Sequence, residues 1–200
     1  VNSAAPWNTR GDGSPTGSEY DLQSVFLHEI GHGLGFLSND AYDPFFGLGS
    51  LDQPTPFDAY LQTSDGRRLA DLPTPSKELG VALTTSLVWS GANAIKANGG
   101  VKPKMYTPAR YESGSSTSHL DEATFSKSGV DSVMTPSLDP GEIFKEPGPL
   151  LLAMMEDLRS KPPVGMATDL PLSPRNAQAF TGDSSALISF DPPANLRTAQ

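Results

Sequence analysis

Residues 28–40 read HEIGHGLGFLSND, and the spacing of the two histidines governs how the rest of the chain is read. On an α-helix, His28 and His32 stand one turn apart on the same face, so both imidazoles can reach one metal ion. Zinc takes histidine nitrogen at ~2.0–2.1 Å, and a catalytic zinc site uses three protein ligands while keeping a fourth position for water. Glu29 is rotated by about 100° from His28 around the helix, which is too far to ligate but near enough to reach that water. It is therefore the candidate general base. The surrounding sequence supports a helix over 19–33. Ser18 and Asp21 resemble a capping box, Leu22, Val25, Phe26, Leu27 and Ile30 form an apolar stripe, and Gly33 and Gly35 stop the helix.

The bulk composition narrows the function classes. A 200-residue chain can bury a sizeable core. With 14 basic and 23 acidic residues the net charge is −9, which argues against nucleic acid and against an anionic membrane surface. The 19 Gly and 19 Pro imply a loop-rich fold, and the lack of Cys excludes disulfides, thiolate zinc sites and cysteine nucleophiles. No apolar run is long enough to span a membrane. No signal peptide is visible, although the chain opens at Val1 rather than Met, so an upstream segment is expected to have been removed or left out.

Beyond the first helix, residues 38–75 read mostly as loop. Helical stretches are expected at 76–86 and 90–98, the latter stopped by Gly99 and Gly100, and 101–118 returns to loop. Residues 132–136, SVMTP, suggest a tight turn. Residues 147–159 predict a helix that starts at Pro147 and Pro149 and buries Leu150, Leu151, Met154, Met155 and Leu158. Residues 161–173 have linker composition, and 174–200 alternate like two strands with a turn at Gly182–Asp183.

HEIGHGLGF fits HExxHxxGF, the pattern of the metzincin zinc metallopeptidases. Most members place a third histidine ligand where Ser38 stands here. The chain instead resembles the leishmanolysin-like metzincins, which bring that histidine from a long insertion. The resemblance covers about residues 20–160. It rests on HExxHxxGF, then His119 within SSTSHLD, then Met134 within VMTP, then a helix. It implies an α+β zincin fold with an active-site helix, a loop-rich insertion, a Met-turn and a C-terminal helix. It also implies one catalytic zinc on His28, His32 and His119, with Glu29 as general base and later acid. The activity implied is secreted endopeptidase hydrolysis of a protein or peptide substrate. Only residues 1–27 precede His28, so the upstream sheet of the family is expected to be reduced or missing. The segment 1–160 would be the catalytic domain and 174–200 resembles the start of a fibronectin type III domain, with a packed C-terminal extension as the other reading.

Other assignments remain open from the sequence. Asp40 or Asp43 could complete a two-histidine, one-carboxylate site. Asp121 and Glu122 are candidates to orient His119, and Tyr106 and Tyr111 to hydrogen-bond a tetrahedral intermediate. Asp40, Asp43, Asp52 and Asp58 could bind calcium, although they lack EF-hand spacing. A non-catalytic zinc-binding adhesion or structural module is the alternative to an enzyme.

Overall fold

The computed structural model describes residues 4–10, 14–125 and 129–160, together with the strands at 175–182 and 185–191. The chain is α+β, with helices joined by very short strand pairs. Trp7–Asn8 (β1) and Tyr20–Asp21 (β2) pair in parallel. That pairing holds the backbone extended as far as Asp21, so the first helix, Leu22–Gly33 (α1), cannot begin at 19. Its cap is Asp21 rather than Ser18. The Asp21 carboxylate accepts from the Ser24 amide at 3.0 Å and the Ser24 hydroxyl at 2.7 Å.

The expected apolar stripe of α1 does not face the core as a whole. Leu27 packs against it, but Phe26 is 48% and Ile30 54% exposed. The buried positions are Ser24 and Gly31. Ser24 Oγ accepts from the Phe144 amide at 2.6 Å, and Gly31 lies against Met134. The inner face of this helix thus consists of small residues that allow close approach, and hydrophobicity alone points the wrong way.

Residues 38–75 hold more order than their composition suggests. Ala41–Asp43 (β3) and Leu48–Ser50 (β4) form an antiparallel pair, and Leu61–Thr63 (β5) pairs with Leu87–Trp89 (β6). Three-residue strands are too short for alternation to announce them. The helices Lys77–Leu83 (α2) and Ala92–Ala97 (α3) fall inside the expected stretches. The last helix, Gly148–Arg159 (α4), buries Leu150, Leu151, Met154 and Leu158 as expected. Asp157 of α4 accepts from the Asn93 and Ala94 amides and from Trp89 Nε1 at 2.9–3.0 Å, capping α3 from a distant helix. Phe36, Phe57 and Trp89 form an aromatic core, with centroids 4.8 Å apart for the first pair and 4.9 Å for the second.

From that core, hydrogen bonds step outward to the loop of His119. Trp89 and Met105 amides link β6 to residues 103–105. The Tyr106 amide donates to His119 O, the Asp121 amide to Lys104 O, and the Leu120 amide to Met134 O at 2.8 Å. Arg175–Gly182 (β7) and Ser185–Asp191 (β8) form an antiparallel hairpin, consistent with the two strands expected there. The linker expected at 161–173 lies outside the described residues. No helix among the described residues is long and apolar enough to cross a membrane.

Candidate metal centre

The end of α1 begins the site. Gly35 has φ +108°, a conformation open to glycine, and the chain reverses there. The Gly35 amide donates to His32 O and the Phe36 amide to Gly31 O, the paired bonds of a Schellman ending. The reversal carries Phe36 into the aromatic core. Phe36 O then returns to accept from His32 Nδ1 at 2.8 Å. The glycine and phenylalanine of HExxHxxGF thus orient the second histidine.

The other two histidines are held in the same way. His28 Nδ1 donates to Val133 O at 2.7 Å and His119 Nδ1 to Ser115 O at 2.8 Å. A carbonyl can only accept, so each ring carries its proton on Nδ1 and presents a lone pair at Nε2. The three Nε2 atoms lie 3.0, 3.2 and 3.3 Å from one another. Three ligands of a tetrahedral zinc at the usual bond length would stand about 3.3 Å apart. Burial favours the neutral ring in His28 and takes His119 from its ordinary value down to about 4. Neutral imidazoles are the ligating form, so the three converging lone pairs form a group that can hold a metal ion.

Neither Asp40 nor Asp43 belongs to this group. Asp43 accepts from the Phe45 amide at 2.8 Å and shapes the β3–β4 turn. Asp40 accepts hydroxyl hydrogen bonds from Ser38, Tyr111 and Thr117. Asp58 is buried, its pKa raised by desolvation; it accepts from the Thr55 amide, and its Oδ1 lies 2.5 Å from the Ser38 hydroxyl. The aspartates of the acidic loop form no metal-binding cluster among the described residues. The expected role of Asp121 and Glu122 is corrected: Ser115 O orients His119, because the loop folds its own carbonyl back onto the ring, while Asp121 accepts from Thr124. Tyr106 donates to Glu112 at 3.0 Å and Tyr111 to Asp40 at 2.7 Å, so both hydroxyls are engaged by carboxylates.

Met134 packs against Gly31 of α1. The Thr135 amide donates to Ser132 O, making a tight turn at the expected place, and Met134 is fully buried. Its neighbour Val133 holds His28, and its own carbonyl holds the segment of His119. A Cβ placed on Gly31 would lie 2.6 Å from Met134 Sδ. Alanine is favoured over glycine in a helix by about 1 kcal/mol, but overpacking costs about 1–3 kcal/mol. Gly31→Ala is therefore expected to lower the unfolding free energy by up to ~2 kcal/mol in denaturant titrations. On a Met134→Ala background the same change should stabilise, by up to ~1 kcal/mol. Destabilisation on both backgrounds would show that Met134 is not the obstacle.

Beside His28 is a cavity of about 170 Å³, lined by His28, Glu29, Val133, Leu138 and Phe144 among others. Glu29 is exposed at this rim. Thr117, two residues before His119, is buried with φ +68°. For a β-branched residue this is a strained backbone costing about 1–3 kcal/mol. The oriented carbonyls and this threonine had no legible signal in the sequence. No family profile, curated protein or solved structure matches the chain.

Proposed function

We propose that the chain is the catalytic part of a zinc-dependent endopeptidase, similar to the leishmanolysin-like metzincins. The observation that carries this reading is the convergence of three Nε2 lone pairs, each ring locked by a carbonyl at Nδ1. The reversal at Gly35 and the turn that buries Met134 support the metzincin assignment. An all-imidazole donor set suits zinc and disfavours calcium or magnesium, which prefer oxygen. Bound there, zinc would supply Lewis acidity, polarising the scissile carbonyl and making a water acidic near neutral pH.

The remaining chemistry belongs to the chain. The Glu29 carboxylate takes a proton from the attacking water as the water oxygen bonds to the carbonyl carbon. It then gives that proton to the amide nitrogen as the C–N bond breaks, so an acid and an amine leave. The cavity beside Glu29 receives a side chain next to the scissile bond. Val25, Val133, Leu138 and Phe144 give it apolar walls, which favour an aliphatic residue.

Metal analysis and casein digestion on the same purified sample test the reading. The expected result is about one zinc per chain and hydrolysis that stops when phenanthroline removes the metal. Zinc without hydrolysis would favour the non-catalytic zinc-binding module. Absence of zinc would remove both readings.

A further inference from the structure

Ser38 stands where most metzincins carry their third ligand, and the structure gives the residues around it a connecting task. Ser38 lies on the chain leaving α1. Its amide donates to Ser118 Oγ at 3.1 Å, and its hydroxyl lies 2.5 Å from Asp40 Oδ2 and 2.5 Å from Asp58 Oδ1. Asp40 Oδ2 also takes the hydroxyl of Thr117, and its Oδ1 takes the Tyr111 hydroxyl at 2.7 Å. One carboxylate therefore gathers the exit of α1, the strained Thr117 and Tyr111. Ser118 and His119 follow Thr117 directly, so the left-handed backbone at Thr117 sets the direction from which His119 arrives. The Thr117 amide is anchored separately on Tyr106 O at 2.7 Å, so two contacts tie this segment to the exit of α1: the Thr117 hydroxyl on Asp40 and the Ser38 amide on Ser118 Oγ.

We propose that Asp40 is a positioning residue for the metal centre: by holding the Thr117 hydroxyl it fixes His119 at ligating distance from His28 and His32. The inference rests on reading the three histidines as a metal site. Asp40 touches no ligand. It acts through Thr117, and its carboxylate is needed because the Tyr111 and Thr117 hydroxyls both donate to it beside the Ser38 hydroxyl.

Co²⁺ is the probe, since its visible absorption reports ligand geometry and its affinity can be measured by chelator competition without any assay of activity. Asp40→Ala is expected to bind Co²⁺ about 10–100-fold more weakly than the unaltered chain, with a shifted visible band. Thr117→Ala, which removes the other half of the contact, is expected to give a loss of the same size, and it carries the test if Asp40→Ala does not fold. Thr117→Ser keeps the hydroxyl and should keep the affinity and the band. The double variant Asp40→Ala/Thr117→Ala should be no weaker than Asp40→Ala alone, because Asp40→Ala already removes the contact that Thr117→Ala removes. Wild-type affinity and an unchanged band in Asp40→Ala, or losses that add in the double variant, would overturn the proposal while leaving the metal site intact. Failure of the unaltered chain to bind Co²⁺ would overturn the metal reading, and this proposal with it.

Discussion

Glu29→Ala is expected to retain about one zinc per chain while losing peptide hydrolysis by about 10²–10⁴-fold, the range for removal of a general acid–base group. The geometry separates the two roles. His28 and His32 bring their rings into the three-histidine group from one face of α1, whereas Glu29 is not part of that group and is exposed in the lining of the adjoining cavity. No hydrogen bond that orients a ligand involves its carboxylate, so the variant should leave the three Nε2 atoms where they are. Zinc content by metal analysis and hydrolysis of a quenched peptide are the two measurements. If the metal leaves together with the activity, Glu29 is a ligand and the assignment of the base is wrong.

His119→Ala should lower zinc affinity well beyond the ~10–100-fold typical of residues around the ligands, and it should abolish hydrolysis. Two imidazoles on one helix turn leave a zinc ion short of the three protein ligands of a catalytic site. Asp43→Ala, by contrast, changes only a turn and should leave zinc content as in the unaltered chain. Competition with a chromophoric chelator measures both. Tight zinc binding by His119→Ala, with loss in Asp43→Ala, would replace the three-histidine site with one containing a carboxylate.

The legible parts of this molecule were those written in periodic or punctuated form. The spacing of His28 and His32 announced their shared face. Pro147 and Pro149 ahead of Leu150, Leu151, Met154 and Leu158 announced α4. The buried side of α1 escapes the sequence pattern because its contacts depend on how small Ser24 and Gly31 are, and small residues leave no mark on a hydrophobicity pattern. The strand pairs of residues 41–63 are too short to alternate visibly. His119 could be singled out because the chain holds only three histidines. The groups that aim it could not, because Ser115 O, Val133 O and Phe36 O are backbone atoms that every residue possesses. Only the fold selects which carbonyl meets which ring.

The distance along the chain between the two parts of the centre has a consequence for the unfolded state. His32 and His119 are 87 residues apart, yet their Nε2 atoms are 3.2 Å apart. A cation shared by them is a removable cross-link that closes a long loop. A covalent link over such a span would restrict the unfolded chain by roughly 4–5 kcal/mol in the chain-entropy relation, which is an upper bound for a coordinate bond. With such an ion bound, mass action would tie the persistence of the fold to the free metal concentration. A chain starved of metal would then open more often, and the long segment between the histidines would be released to proteolysis.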